Sequence, residues 1–146
     1  MALDGGGGGG GGPVGFANSF TGPAQALEIY GDYATAMSGM FGASSAEQTM
    51  LDFTSGNYLF VGRLTFTGPV RPEAPQSGSI AAAVLSLNGA KVAILKNDGN
   101  NETQPTTSYC DIIIPAYTEV KVTVEASDDD SDNLGFAIMT GRIYRD

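Results

Sequence analysis

Over Tyr117–Glu125 the chain alternates in character residue by residue: Val120, Val122 and Val124 fall on one side, Glu119, Lys121, Thr123 and Glu125 on the other. Successive side chains of an extended strand point to opposite faces, so this pattern is satisfied by a β-strand with one dry and one wet face. The same period recurs in Tyr58–Thr67, where Tyr58, Phe60, Leu64 and Phe66 share a face. It recurs again in Leu134–Tyr144, with Phe136, Ile138, Thr140 and Arg142 on one side and Ala137, Met139, Gly141 and Ile143 on the other. A chain with such segments must pair them edge to edge and cover their apolar faces.

Turn chemistry divides the rest. Asn88-Gly89 between two apolar runs, Ser79–Leu87 and Ala90–Lys96, is a hairpin signal, because both central residues of the tightest turn need positive φ. Pro115 stops a strand over Tyr109–Ile114, and Gly68–Gly78, Asn97–Ser108 and Asp128–Asn133 read as loops. Looser strands are expected at Ala26–Tyr30, Tyr33–Met40 and Gln48–Phe53, with a short helix possible at Ala43–Met50. The expectation is an all-β domain over residues 26–146, an antiparallel β-sandwich or jelly roll of about eight to nine strands.

Residues 1–25 have another character. Gly5, Gly6, Gly7, Gly8, Gly9, Gly10, Gly11 and Gly12 run without interruption into Pro13, and Phe16 and Phe20 punctuate an irregular lead-in. Ordering eight glycines costs on the order of 10 kcal/mol, and they have no side chains to bury in return. The run is therefore either a loose linker or an assembly arm held by another subunit or another protein; the docked arm is the expectation. Phe16 and Phe20 either anchor it to a neighbour or pack on their own domain.

Composition narrows the chemistry. The 146 residues carry 16 acidic and 7 basic side chains, a net charge of −9, and the first basic residue is Arg63. An arm for nucleic acid would carry Lys or Arg, so no nucleic-acid partner is expected. No apolar run reaches the length of a membrane-spanning helix and Met1–Gly5 lacks the start of a signal peptide, so no membrane partner is expected either. There is no histidine, which removes the usual nucleophilic and general-base sets, and the glycine run lacks the lysine of a phosphate loop. No enzyme activity and no cofactor are expected. Asp128, Asp130 and Asp132 alternate like calcium ligands, but Asn133 stands where such a loop needs glycine and Met139 where it needs glutamate. A solvated hairpin tip is the expected reading, as for the weaker set Asp98, Asn100 and Glu102. Cys110, the only cysteine, is expected to be a buried, inert thiol.

Gly56-Asn57-Tyr58-Leu59-Phe60, the Asn88-Gly89 hairpin, Ile114–Val122, and Gly135-Phe136 with Thr140–Tyr144 resemble the strand pattern of the tumour-necrosis-factor-like jelly roll, over roughly residues 47–146. The glycine-rich start, Phe20–Leu27 and Ile29–Ala34, together with the closing Phe136–Tyr144, resemble small structural proteins of marine tailed phages. That likeness implies a virion protein, most directly a capsid decoration protein that meets the major capsid or other virion proteins. The jelly-roll resemblance implies a homotrimer. The alternative is a head or tail fibre module that binds a host glycan through its end loops, with Tyr109 and Tyr117 as aromatic platforms.

Overall fold

The computed structural model describes residues 26–70, 80–98, 106–127 and 134–145. The arm and lead-in, with Gly5–Gly12, Pro13, Phe16 and Phe20, lie outside the described residues, as do Asp128, Asp130, Asp132, Asn100 and Glu102.

Ten strands follow in order: β1 (Glu28–Tyr30), β2 (Tyr33–Met37), β3 (Phe41–Gly42), β4 (Gln48–Thr54), β5 (Leu59–Val70), β6 (Ile80–Leu87), β7 (Ala90–Asp98), β8 (Thr107–Ile114), β9 (Glu119–Ala126) and β10 (Leu134–Tyr144). Asn88 and Gly89 adopt φ of 51° and 84°, the left-handed pair that a two-residue hairpin needs, and β6 pairs with β7 across them. Moving outward from that turn, β5 pairs with β8, β4 with β9 and β2 with β10, all antiparallel. Eight strands thus form one long hairpin centred on residues 88–89. It is rolled so that alternate pairs fall into two sheets, ordered β1-β2-β10-β5-β8 (with β3 on β10) and β4-β9-β6-β7. Nested pairing of this kind is the jelly roll.

The alternating faces expected from sequence are the faces that close the core. Phe60, Leu64, Phe66, Ala137, Met139 and Ile143 point inward from the larger sheet, and Val120, Val122, Val124, Leu85 and Phe53 from the smaller. Full burial of such side chains contributes about 1.5–3 kcal/mol each, offsetting the entropy of ordering the chain. The alternation of β4 breaks once: a register shift between Thr49 and Leu51 turns both Met50 and Leu51 inward, as a bulge allows.

Three expectations need correction. All nine expected strands occur, but the two-residue β3 is a tenth. The short helix at Ala43–Met50 is absent, and no helix occurs among the described residues. Its backbone is claimed by distant partners: Ala126 N–H donates to the Ser44 carbonyl at 2.7 Å, and Gln48 and Thr49 pair with Val124 and Thr123 of β9. A one- or two-turn helix, whose nucleation is unfavourable, cannot compete with these contacts. Tyr117 leaves the strand and takes φ of 56°. The cause is buried Ser55, whose hydroxyl donates to the Pro115 carbonyl and accepts from Thr118 N–H, each at 2.8 Å, pinning that turn to the β4–β5 connection.

The middle of the larger sheet has one unusual contact. Gly62 and Gly141 stand directly opposite each other on β5 and β10. A Cβ on Gly62 would overlap the Thr140 carbonyl oxygen and lie 2.5 Å from Cζ of Phe60. The two bare backbones let the strands approach closely, and the Phe60 ring lies across the gap on the core side.

The outer face of the six-stranded sheet as candidate site

Residues directly opposite each other in an antiparallel pair share a face. The registers therefore draw rows across the outside of the larger sheet. One runs Tyr30, Tyr33, Arg142, Val61, Ile113; the next runs Glu28, Thr35, Thr140, Arg63, Asp111; a third runs Met37, Ile138, Thr65, Tyr109. Tyr144 and Leu59 pair at the margin.

This face is far more apolar than a solvated sheet surface. Of thirteen exposed large apolar side chains among the described residues, seven lie on it: Tyr30, Tyr33, Leu59, Val61, Tyr109, Ile113 and Tyr144. That concentration separates it from scattered surface hydrophobes, which need no explanation. The outside of the smaller sheet is mixed: Ile80 and Ile94 are exposed there, beside a polar row. Asp52 stands opposite Lys121, Lys121 opposite Ser86, and Ser86 opposite Lys91.

Two arginines organise the apolar face. The Arg63 guanidinium donates to Asp111 Oδ1 at 2.8 Å and lies 3.9 Å from the centre of the Tyr109 ring. Its hydrogen bond to Asp111, with the charge of that carboxylate, raises its pKa above the usual arginine range against an opposing effect of desolvation, so its charge is permanent. The pair is open to water and contributes little to stability; its consequence is to hold a flat cation over a flat ring. Arg142 reaches Asp32 at 3.5 Å and sits 5.4 Å from the Tyr33 ring and 5.8 Å from the Tyr144 ring. Between the two arginines, Val61 and Thr140 form a low ridge shared by two shallow grooves. The first, about 480 Å³, is walled by Tyr30, Tyr33 and Arg142; the second, about 710 Å³, by Arg63, Asp111 and Ile113.

Of the residues singled out from sequence, Tyr109 is on this face with one ring side occupied by Arg63, and Tyr117 is exposed on the turn after β8. Asp98 ends β7 and is exposed; among the described residues no three acidic, cysteine or histidine side chains converge as a metal would require. Cys110 points toward the core from β8, opposite Leu64, but is only partly buried. Burial, and then the neighbouring Asp111 charge, push its thiol above the usual range, so it stays protonated at neutral pH. The outer face itself had a sequence signal that alternation alone overlooks. In Leu59-Phe60-Val61 and Ile112-Ile113-Ile114 both alternate sets are apolar, as in strands covered on both sides.

No family model matches the sequence, and no curated protein matches it. Among solved structures the chain is similar to a family 35 carbohydrate-binding module from an environmental isolate, at 16% identity over 86% of this chain and 75% of that one, with a TM-score of 0.33. It is similar to a chain of infectious bursal disease virus, Gx strain, at 16% identity over 82% of this chain and 37% of that one, with a TM-score of 0.38. The sugar-binding C-terminal domain of EclA is similar at 11% identity over 80% and 81% of the two chains, with a TM-score of 0.33. Likenesses at these TM-scores carry no argument, and the jelly roll rests on strand order and pairing.

Proposed function

We propose that the chain is a structural virion protein, a capsid decoration protein of a tailed phage, assembled as a homotrimer and anchored through residues 1–25 to the shell or to sister subunits. The observation that carries this reading is the outer face of the six-stranded sheet. A surface built from tyrosine, arginine and branched aliphatic side chains has the composition of an interface core. Its arginines are already held by carboxylates and rings, so ordering them on association costs little further side-chain entropy. The charge of −9 favours solubility of the assembled protein and contact with a basic partner surface. Many weak contacts repeated by symmetry then clamp a shell by avidity.

Two measurements test this. Leu59→Asp with Tyr144→Asp places charges at the margin of the face without entering the core, and should weaken self-association by about 30-fold or more, the scale of losing an interface hot spot. Sedimentation should find a trimer for the native chain and a monomer for the variant, with unchanged circular dichroism; a native chain that sediments as a monomer would sink the assembly reading. Deleting Met1–Gly12 should abolish incorporation into particles, and undiminished incorporation would remove the anchoring role of the arm.

A further inference from the structure

We propose that β7 is an acceptor edge. Its free side takes an extended segment of another protein as an added antiparallel strand, with an aliphatic side chain beside Ile94 and a carboxylate beside each of Lys91 and Lys96. The edge belongs to the smaller sheet, across the sandwich from the tyrosine and arginine face. It therefore does not compete with self-association there and does not depend on the virion reading.

The backbone supplies the first observation. β7 ends the order β4-β9-β6-β7, so β6 flanks it on one side only. Ile80 stands opposite Asp98, yet its N–H donates to the Ser127 hydroxyl at 3.0 Å and its carbonyl accepts from Ser127 N–H at 2.8 Å. Both of its polar groups thus turn away from β7. Hydrogen-bonded and non-hydrogen-bonded pairs alternate along an antiparallel ladder. Ala82 and Val84 therefore follow Ile80, and their partners Lys96 and Ile94 direct N–H and C=O away from β6. The Asp98 carbonyl, turned the same way, accepts from the Thr106 hydroxyl at 2.7 Å. No hydrogen bond among the described residues reaches the outward groups of Ile94 and Lys96. Such a row is a template for another strand.

The side chains supply the second. A register shift between Leu85 and Ser86 sets Lys91 opposite Ser86, while Ile94 faces Val84 and Lys96 faces Ala82. Three residues apart, Lys91 and Ile94 would otherwise point to opposite sides; the bulge brings both, with Lys96, to the outside of the sheet. Ile94 is 64% exposed and Val92, within the bulge, 54%. An aliphatic side chain thus stands between two ammonium groups on an open edge.

Charge selects the occupant. Lys121 has Asp52 opposite it, whereas Lys91 and Lys96 face Ser86 and Ala82, and neither forms an ion pair among the described residues. In a chain of net charge −9 this edge is a local cationic exception. A second β7 laid against it would crowd both pairs of lysines along one seam, the device by which edges resist self-pairing. A strand that alternates carboxylate, aliphatic and carboxylate side chains on one face satisfies the ammonium groups, covers Ile94 and closes the ladder at once.

The test uses the full chain and a synthetic peptide, Thr-Glu-Thr-Ile-Thr-Glu-Thr, acetylated and amidated at its ends. At saturating peptide, amide hydrogen exchange of Ile94 and Lys96, followed by NMR, should slow by about ten-fold or more. Methylating the isoleucine nitrogen, which faces β7 in the antiparallel ladder, should abolish binding. Methylating the central threonine nitrogens, which face away, should leave it within about three-fold. Lys91→Glu with Lys96→Glu, both exposed, should weaken binding by about ten-fold or more, and a peptide with lysine in place of both glutamates should restore it, with circular dichroism and sedimentation unchanged. Unprotected amides at saturating peptide, equal losses from the two methylated peptides, or binding indifferent to the charge swap overturns the proposal. Protection of Ile94 and Lys96 that rises with protein concentration in the absence of peptide also overturns it, since a second copy is then the occupant.

Discussion

Gly141→Val is expected to destabilise the domain by about 4 kcal/mol, the scale reached only when a substitution meets an unyielding neighbour. A Cβ at position 141 would overlap the Val61 carbonyl oxygen, lie 2.5 Å from the Gly62 Cα and 2.8 Å from Cζ of Phe60. Two of these are backbone atoms of the central strand pair. The third belongs to a ring with no exposure, so none can move aside without reopening the core. For a domain of this size the loss corresponds to a fall in Tm of about 15 °C. Gly31→Ala is the control. Gly31 has φ of +66°, and no atom lies within 4 Å of the place its methyl group would take, so it should cost only about 1 kcal/mol for the left-handed backbone. Thermal melts that place the two variants within a few degrees of each other would refute the close-contact account.

Asn97→Asp is the second large effect, and it carries a pH signature. Asn97 is 1% exposed, and its amide nitrogen donates to the carbonyls of Phe66 and Thr106, each at 3.1 Å. The amide thereby ties β7 to β5 and to the residue entering β8, while its own oxygen has no partner. A carboxylate there loses both donors and faces two carbonyl oxygens, so it should cost about 4 kcal/mol at neutral pH, as an uncompensated buried charge does. Burial raises the folded-state pKa of such an acid above its unfolded value of about 3.9. The protonated form is then the one the fold tolerates. Relative to the native protein, the deficit is smallest below about pH 4 and grows by about 1.4 kcal/mol per unit as pH rises, until the folded-state pKa is passed. Urea denaturation of both proteins at acid and neutral pH measures this, and a deficit independent of pH would show that lost packing, not charge, is the cause.

These two sites mark different degrees of legibility. The inward set of β10, with Gly141 on the side of Ala137, Met139 and Ile143, could be read from period two alone. That Gly141 stands against Gly62 could not, since the pairing joins strands far apart in the chain and depends on which strands share a sheet. Asn97 reads in sequence as the start of a polar loop, next to Asp98. In the structure it is a strand residue turned inward, because β5 and β8 present carbonyls that its amide satisfies. Similarly, Ala43–Met50 has local features compatible with a helix, and Tyr117 with a strand; the hydrogen bonds of Ala126 N–H to Ser44, of the Ser55 hydroxyl, and of Tyr117 N–H to the Gly56 carbonyl override both. The outer face was half legible: each row member lies on a recognisable strand, but the row exists only once β2, β10, β5 and β8 are side by side.

By itself the sequence determined what is local. Alternation set the strands and which side of each is dry, Asn88-Gly89 set the central hairpin, and the absence of histidine removed the catalytic sets built on that residue. Tertiary structure alone decided the partition of strands between two sheets, the Gly62–Gly141 contact under Phe60, and the gathering of tyrosines and arginines about the Val61–Thr140 ridge. The physical reason is that period-two patterning specifies a face, whereas neighbours across a sheet are chosen by pairing and packing between segments that are remote in sequence.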